Sequence, residues 1–551
     1  MGLPVRITRS AIRGTVAGCA LLVTMTLMGC PGKEATTGGR KAGDDSRSPQ
    51  AASSSTAPPS SAAAGTSAAA PAPVPQAEPR TVPSVRNWTG RPGPGWRPAP
   101  GARVVADPGG PLPHEAHSLA DGLRLPFAPA PAHPGDVELA LRPGQAGGPE
   151  SYELATADRK VLITAPDEAG AFYGTRTVLQ AVRTGGGLPE GVVRDAPDRP
   201  RRGLNIDIAR KHFPADWIEA RLREMADLKL NELGLHFSDD QGFRIQSDSH
   251  PEVVSPDHLT KDEIRRIVVL ASSLHITVVP EIDSPGHLGA VLGPHPDLQL
   301  HDASGTVSRG AVDIGNPAAA RIVDDLMREY APLFPGPYWH LGADEYRALM
   351  ARDPQASYPR LAQLARQKYG TRARVQDLAT GWLNDRAAVV RSLGKRPRAW
   401  NDGFFRGGTV SPDKSIEVEY WTGKELGARD PQEYLNEGRT LVNLNDEYLY
   451  YVLGEPNQFR YPTGERIYRE WTPAVLRGTK AVPGPADRTG PARVVGGRLA
   501  IWCDRPTAQT PDQVAAGIRL PLAALAQKLW DPRPPRLAWA QFTALARQVR
   551  G

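Results

Sequence analysis

Short apolar segments alternate with helical patterns throughout the chain after Pro200. Eight of these segments are strand candidates: Leu204–Ile208, Glu232–His236, Ile276–Ile282, Tyr338–Leu341, Arg398–Trp400, Ile416–Trp421, Thr440–Leu444 and Leu499–Trp502. Helical patterns lie between most of them, and one begins with a capping box at Thr260 to Glu263. Eight strand–helix units predict an α/β fold, a (β/α)8 TIM barrel. A doubly wound open sheet is the alternative, which the count of eight and the lack of a glycine-rich phosphate loop disfavour.

The first 30 residues have the pattern of a targeting segment. Three arginines precede an apolar run from Ala17 to Met28, which is short for a transmembrane helix. The run ends in a small residue followed by Cys30, which resembles a bacterial lipoprotein processing box. This resemblance predicts cleavage before Cys30, lipid attachment to its sulfur, and an exported protein anchored to the outer face of the membrane. An ordinary secretory signal is the alternative.

Composition divides the rest of the chain into three parts. Residues 31–100 are rich in Ala, Ser and Pro and predict a disordered tether. Residues 101–198 combine strand patterns with one helical stretch, which predicts a small α+β domain, and residues 199–551 form the predicted barrel. The net charge of +6 is modest and the arginines are scattered, so we expect no nucleic-acid partner.

Two adjacent carboxylates follow the fourth predicted strand. The apolar run Tyr338 to Leu341 ends at Gly342-Ala343 and is followed by Asp344 and Glu345. Barrels of this kind place their chemistry at the carboxyl ends of strands. Adjacent residues cannot easily flank a sugar from opposite sides, as two-carboxylate glycosidases require. A pair that is merely solvated is the alternative, so the interpretation depends on the motifs elsewhere.

Four segments together resemble the family 20 glycoside hydrolases, the β-N-acetylhexosaminidase superfamily. They are Arg202–Arg210, His236–Arg244, Pro280–His287 and His340–Glu345, in the family's order and each leading into or out of a predicted strand. The resemblance extends over residues 101–551. It implies an exo-acting, retaining enzyme that removes terminal β-linked N-acetylhexosamine through an oxazolinium intermediate formed by the substrate's own acetamido group.

The resemblance also implies a role for each catalytic residue. Glu345 would be the general acid and then the base, with a pKa raised by burial and by the charge of Asp344. Asp344 would bind the acetamido N–H. Asp239 and His287 would support Glu345, and Tyr448 would bind the acetamido carbonyl oxygen.

Further residues would bind the sugar. Arg202 is expected to bind the 3- and 4-hydroxyls, with a salt bridge to Asp207 as the alternative. Three tryptophans at predicted strand ends are expected to form the acetamido and ring-stacking pocket: Trp400, Trp421 and Trp502. Where many family members have Trp-Gly-Glu, this chain has Trp502-Cys503-Asp504, so the shorter Asp504 would reach the 4-hydroxyl. Tyr450 also stands where the family often has Asp or Asn.

Other functions remain open from the sequence. The departures at Asp504 and Tyr450 suit a lacto-N-biosidase-like enzyme that releases a disaccharide. A non-catalytic glycan-binding surface lipoprotein is another alternative, as is a retaining glycosidase whose nucleophile is Asp402, Glu447 or Asp504. We expect N-acetylamino-sugar glycans as partners, membrane contact through the lipid anchor only, and no cofactor or metal. His295 and His301 lie in a polar segment and are expected to face solvent.

Overall fold

The computed structural model describes residues 76–425, 427–483 and 493–550. Its strands are β1 (Asn87–Gly90), β2 (Val104–Ala106), β3 (Phe127–Pro129), β4 (Val137–Leu141), β5 (Tyr152–Ala157), β6 (Lys160–Ala165), β7 (Gly191–Asp195), β8 (Arg201–Asp207), β9 (Glu232–His236), β10 (Thr277–Glu281), β11 (Gln299–His301), β12 (Val307–Val312), β13 (Tyr338–His340), β14 (Arg396–Trp400), β15 (Glu417–Tyr420), β16 (Leu441–Asn443), β17 (Tyr450–Val452) and β18 (Val494–Trp502). Its helices are α1 (Pro113–Leu123), α2 (Glu168–Gly185), α3 (Ala215–Asp227), α4 (Lys261–Ser273), α5 (Gly289–Leu292), α6 (Pro317–Tyr330), α7 (Arg347–Met350), α8 (Pro354–Ser357), α9 (Pro359–Tyr369), α10 (Val375–Ser392), α11 (Pro431–Asn436), α12 (Gly464–Glu470), α13 (Pro511–Trp530) and α14 (Trp539–Gln548). Cys30 lies outside these residues, and no helix within them is long and apolar enough to cross a bilayer.

The N-terminal domain is a seven-stranded mixed sheet in the order β1-β7-β5-β6-β4-β2-β3, and α1 and α2 pack against its strands. Helix α2 begins where Asp167 accepts a hydrogen bond from the Gly170 N–H and ends at Gly186, whose φ is 73°. The predicted start of this domain at residue 101 is too late. Strand β1 pairs with β7, and Val82, Val85 and Trp96 are buried in its core, so residues 76–100 are folded rather than part of a tether.

Strands β8, β9, β10, β13, β14, β15, β16 and β18 form a closed parallel barrel. Neighbouring strands pair in this order, β18 pairs with β8, and β16 pairs with β18, which closes the sheet. All eight predicted strand segments are present, so the predicted (β/α)8 barrel is confirmed and the open sheet is wrong. Strand β17 adds a short parallel extension beside β18, with Tyr450 opposite Ala500 and Val452 opposite Trp502.

The amino-terminal half of the barrel interior is charged rather than aliphatic. Arg398 is fully buried and bonds to Glu232 at 2.8 and 3.0 Å and to Glu417 at 3.1 Å. Arg498 is buried beside Glu419. Because each guanidinium has carboxylate partners, the burial of these charges is compensated by ion pairing and hydrogen bonding.

The end of α13 holds the N-terminal domain against the barrel. Trp530 is fully buried, and its Nε1–H donates to Oδ1 of Asp195 at 2.9 Å. Its ring lies 5.5 Å from that of Tyr173 on α2, edge to face. The carbonyl of Trp530 accepts the N–H of Asp198 at 3.0 Å, in the segment that joins the two domains. This interface lies at the amino ends of the barrel strands, away from the site described next.

Candidate active site

The loop after β13 presents Asp344 and Glu345 at the carboxyl end of the barrel. Gly342, Ala343 and Glu345 have φ values of 68°, 81° and 46°. A Cβ at Gly342 would collide with the Asp283 carboxylate, so this position requires glycine. Oδ1 of Asp283 also accepts the Ala343 N–H at 3.0 Å. The left-handed backbone of Ala343 and Glu345 is a strained arrangement of the kind found at active sites.

His287 lies between Asp239 and the carboxylate pair. Its Nε2 is 3.5 Å from Oε2 of Glu345 and 3.6 Å from Oδ2 of Asp344. Its Nδ1 is 3.3 Å from Oδ1 of Asp239. Burial opposes a charge on the ring, but Asp239 and Asp344 outweigh it and raise the pKa of His287 well above its ordinary value. The structure therefore brings all four predicted catalytic residues of this group together.

The predicted direction of the Glu345 pKa is wrong for the free protein. The contact with His287 is the largest influence and lowers the pKa of Glu345, more than the partial burial of Glu345 raises it. The side chain is 47% exposed, so loss of hydration is a smaller effect than the sequence suggested. The free protein thus holds an ionised Glu345 beside a protonated imidazole.

Asp344 lies close to both His287 and Asp283. Burial raises its pKa, while His287 and a hydrogen bond from Asp283 act in the opposite direction. Burial and the nearby Asp344 raise the pKa of Asp283 well above its ordinary value, so Asp283 serves as the proton donor in that hydrogen bond. Oδ1 of Asp344 is buried and accepts no N–H among the described residues.

Asp402 links the catalytic loop to the pocket wall. Its Oδ2 accepts the backbone N–H of Glu345 at 3.1 Å, and its Oδ1 accepts the indole N–H of Trp421 at 3.0 Å. Burial, together with the charge of Asp344, raises the pKa of Asp402 well above its ordinary value. The sequence had suggested Asp402 only as an alternative nucleophile, whereas the structure shows a positioning contact.

A buried chain of alternating histidines and acids extends from Asp239 into the barrel. Oδ2 of Asp239 lies 2.8 Å from Nε2 of His236, and Nδ1 of His236 lies 2.9 Å from Oε2 of Glu281. The other oxygen of Glu281 lies 2.9 Å from Nδ1 of His340. Burial opposes the charge of His236, but Glu281 and Asp239 raise its pKa to about 10. His236 and Glu281 end β9 and β10, and sequence reasoning passed over them although both lie in the quoted motifs.

Four aromatic side chains form a pocket beside Asp344. The ring of Trp400 lies 5.9 Å from that of Trp502, and its Nε1–H donates to Oε1 of Glu281 at 2.7 Å. Trp421 stacks on Tyr450, with centroids 5.5 Å apart and planes 4° from parallel. The structure thus groups the three predicted tryptophans, and a fourth aromatic, Tyr450, completes the set.

Tyr448, the tyrosine chosen from the sequence, lies elsewhere. It is buried in the turn before β17, its hydroxyl donates to Oε2 of Glu470 at 3.1 Å, and Arg466 covers its ring. Tyr450 instead lies 5.9 Å from Trp502, and the charge of Asp344 acts with burial to raise its pKa well above the ordinary value. The prediction for Tyr448 is therefore wrong, because the pairing of β17 with β18 directs the side chain two positions later into the pocket.

The predicted role of Arg202 in sugar binding is also wrong. It lies near the start of β8, fully buried, and pairs with Glu150 at 2.9 and 3.0 Å and with the Tyr173 hydroxyl at 3.0 Å. This position is at the domain interface, so neither sugar binding nor the alternative salt bridge to Asp207 is correct.

Arg210, eight residues later, follows the carboxyl end of the same strand. It contacts Asp207 at 3.0 Å and Asp239 at 2.7 Å, and its guanidinium lies 5.5 Å from the centre of the Trp502 ring. Arg210 ends the same sequence motif, and the rule that places chemistry at carboxyl ends of strands would have selected it. Asp504 lies nearby, and its side chain is exposed. Partial loss of hydration raises the pKa of Asp504, while the charge of Arg210 acts in the opposite direction.

An aromatic pocket with adjacent acids at the carboxyl face of a (β/α)8 barrel is the arrangement of a glycosidase. Comparison with known proteins agrees with this class. Residues 200–533 match the model of the glycosyl hydrolase family 20 catalytic domain, and residues 78–196 match domain 2 of the same family. Because the catalytic match extends over more than half of the chain, the protein belongs to glycosyl hydrolase family 20, as a glycoside hydrolase of the β-N-acetylhexosaminidase class.

Individual relatives have related activities. A lacto-N-biosidase of Bifidobacterium bifidum is 32% identical over 486 residues, which are 86% of this chain but 42% of that protein. A β-N-acetylhexosaminidase of Cellulomonas fimi is 26% identical over 75% of this chain and 81% of its own length. Among solved structures, a mutant Streptomyces plicatus β-hexosaminidase in complex with GlcNAc is 25% identical, with a TM-score of 0.68 over 86% of this chain and 95% of that one.

Proposed function

We propose that the protein removes terminal β-linked N-acetylhexosamine, GlcNAc or GalNAc, with retention of configuration and with the substrate's acetamido oxygen as nucleophile. The observation that carries this proposal is the carboxylate of Asp344, which lies beside the aromatic pocket and whose buried Oδ1 accepts no N–H among the described residues. A buried carboxylate oxygen that accepts no N–H from the protein is suited to accept one from the ligand. The acetamido N–H is such a donor, and the carboxylate then stabilises the positive charge of the oxazolinium ion.

Glu345 is the proposed general acid and base. In the free protein its proton is held on the neighbouring His287, and its own side chain is half exposed. A bound sugar covers that exposed half, and the loss of hydration raises the pKa of Glu345 so that it accepts the proton. Glu345 then protonates the glycosidic oxygen as the bond to the anomeric carbon breaks, and afterwards removes a proton from the attacking water.

The remaining contacts with the bound sugar come from the side chains of the pocket. Trp400, Trp421 and Trp502 enclose the acetamido group and one face of the sugar ring. The hydroxyl of Tyr450 donates to the acetamido carbonyl oxygen and aims it at the anomeric carbon. Arg210, whose guanidinium lies over the edge of this pocket, binds ring hydroxyls together with the exposed Asp504.

The contacts of Asp344, Asp402 and Glu447 argue against each of them as a separate carboxylate nucleophile. Both Asp344 and Glu345 lie within 3.6 Å of the same His287 nitrogen, so a sugar inserted between them would displace the imidazole. Asp402 is occupied by two N–H donors. Glu447 is paired with Arg466 at 2.9 Å.

A second candidate function is release of a disaccharide. The 32% identity to a lacto-N-biosidase over most of this chain favours it. An exposed, short acid at Asp504 leaves room for a second sugar attached to the 3-position of the first. In this case the same catalytic residues act on a lacto-N-biose unit.

The test is hydrolysis of two chromogenic substrates, a β-GlcNAc glycoside and a β-lacto-N-biose glycoside, with and without GlcNAc-thiazoline. Cleavage of the first, blocked by the thiazoline, supports the first proposal. Exclusive cleavage of the second supports the disaccharide-releasing function. Cleavage that the thiazoline does not affect contradicts substrate assistance. Failure to cleave either, with retained binding of GlcNAc oligosaccharides, replaces both with a non-catalytic glycan-binding role.

We also propose that the protein is exported and held at the bacterial cell surface by a lipid on Cys30. The support is the arginine-led apolar run and the small residue directly before Cys30. Cys30→Ser is expected to move the protein from the membrane fraction to the soluble fraction. Membrane retention of this variant would contradict the anchor.

A further inference from the structure

Three potential metal ligands converge from the loops that follow β9 and β10. Nδ1 of His250 and Nε2 of His295 each lie 3.0 Å from the same oxygen, Oε1 of Glu252. The ligand atoms of the three residues all lie within 4.8 Å of one another. We propose that these residues bind a zinc ion that links the two loops, at a site separate from the aromatic pocket.

The donor set favours zinc over the hard cations. Two imidazole nitrogens with one carboxylate oxygen are typical zinc ligands, whereas Ca²⁺ and Mg²⁺ prefer oxygen ligands only. The three side chains are 20%, 38% and 28% exposed for His250, Glu252 and His295, so the ion can enter from solvent and keep a water as a fourth ligand.

A carboxylate lies close to the second ring nitrogen of one of the two histidines. Oδ2 of Asp325 on α6 lies 3.9 Å from Nε2 of His250, the ring nitrogen that faces away from Glu252. A metal-bound histidine commonly donates its second N–H to a carboxylate, which fixes the tautomer that leaves the other nitrogen free for the metal. Asp325 needs a shift of under about 1 Å to make that hydrogen bond.

The two histidines are held in matching turns. His250-Pro251-Glu252-Val253 and His295-Pro296-Asp297-Leu298 share a His-Pro-acid-apolar pattern. Each begins a 3-10 turn, with φ and ψ of −137° and 63° at His250 and −125° and 61° at His295. Val253 and Leu298 are buried and anchor the turns. Because the following prolines restrict both histidines, little conformational entropy is lost when a metal binds.

The proposed ion would join loops that already meet near the catalytic support residues. The Ala290 N–H donates to the carbonyl of Asp239 at 3.2 Å, and the Gly289 N–H donates to Oδ1 of Asp240 at 2.9 Å. The zinc site adds a link between the same two loops farther along the chain. Its expected effect is therefore on the stability of these loops, and it does not depend on the proposed substrate.

The experiment uses the full chain, stripped of metal by a chelator and then exposed to Zn²⁺. Zinc retained after gel filtration is measured by elemental analysis, and Tm is recorded with and without zinc. One zinc per chain and a Tm rise of about 2 °C at a concentration about 100-fold above Kd are expected. Millimolar Ca²⁺ or Mg²⁺ is expected to leave both readouts unchanged.

Three variants decide whether the cluster is the site. Glu252→Gln keeps a hydrogen-bond acceptor for both rings but removes the charged ligand, so its metal-free Tm stays near that of the parent while zinc binding falls at least about 10-fold. His295→Ala is expected to lose zinc as well. His301→Ala, at an exposed histidine nearby, is the matched control and retains zinc. No zinc retention by the parent, or equal retention by Glu252→Gln, would overturn the proposal.

Discussion

Nε2 of His287 lies 3.5 Å from Oε2 of Glu345, while Nδ1 of the same ring faces Asp239 at 3.3 Å. The buried Asp239 therefore favours the protonated form of His287, and the charged imidazole in turn favours the ionised form of Glu345, the proposed general acid. It holds Glu345 ionised in the free protein, and the protonation of Glu345 becomes a consequence of substrate binding.

Glu345→Gln removes the proposed acid without a change in side-chain size. We expect turnover of substrates with poor leaving groups to fall by about 10²–10⁴-fold, because departure of an alkoxide then lacks a proton donor. Substrates with activated aryl leaving groups are expected to retain more of their rate in the bond-breaking step. Single-turnover rates on both substrates, with binding of GlcNAc-thiazoline as a folding control, are the measurement.

Asp344→Asn removes the charge that faces the acetamido group. The kcat is expected to fall by about 10²–10³-fold, because the oxazolinium ion loses its stabilising carboxylate. KM is expected to change much less. Asp385→Asn, at an exposed aspartate on α10, is the control and should behave like the parent. An unchanged kcat in Asp344→Asn would disprove the proposed role.

Arg210→Gln and Arg202→Gln distinguish the active-site arginine from the structural one. Arg210→Gln is expected to lower kcat/KM by about 100-fold, since the lost contacts are to the sugar, to Asp207 and to Asp239. Arg202→Gln leaves Glu150 unpaired at the domain interface, which should cost about 3–5 kcal/mol of unfolding free energy. Steady-state kinetics are measured at a temperature where urea unfolding shows both variants to be folded. A larger loss of kcat/KM in Arg202→Gln than in Arg210→Gln would contradict the assignment.

Tyr450→Phe and Tyr448→Phe make a matched pair. Loss of the Tyr450 hydroxyl is expected to lower kcat by about 10–100-fold, because the acetamido oxygen is no longer held toward the anomeric carbon. Tyr448→Phe loses only the bond to Glu470 and should keep kcat within about 2-fold. Equal losses in both variants would mean that the hydroxyl of Tyr450 does not contact the acetamido group.

Glu329 is expected to make the fold sensitive to acid. Burial opposes its charge, but bonds from Lys261, Ser249 and Ser247 lower its pKa from 4.5 to about 2. The unfolded chain therefore binds a proton at a higher pH than the folded chain does. The unfolding free energy is expected to fall by about 1–2 kcal/mol between pH 4.5 and about pH 2.

Urea unfolding across this pH range measures the effect. In Glu329→Gln the decrease over this window should be smaller, since the titrating group is absent. Glu465→Gln, at an exposed glutamate on α12, is the control and should follow the parent. A Glu329→Gln curve parallel to that of the parent would show that this carboxylate does not contribute.

The barrel and its catalytic loop follow directly from local sequence patterns. Most strands contain a short apolar segment, and the small pair before Asp344 marks the point where the chain turns at the catalytic face. The predicted N-terminal boundary is too late because proline-rich and glycine-rich sequence continues into residues 76–100, although strand pairing with β7 orders them. The composition of a segment reflects only its local structural preference. It does not show that the segment pairs with a strand about 100 residues away in the chain.

The sequence by itself determined the fold class, the family, and the group of Asp239, His287, Asp344 and Glu345, because these residues lie in contiguous motifs at strand ends. Only the tertiary structure decided between Arg202 and Arg210, between Tyr448 and Tyr450, and the direction of the Glu345 pKa. Each of those depends on which end of a strand a side chain occupies, or on a charge brought close by another strand. Distances between segments remote in the chain set these properties, and no local pattern encodes them.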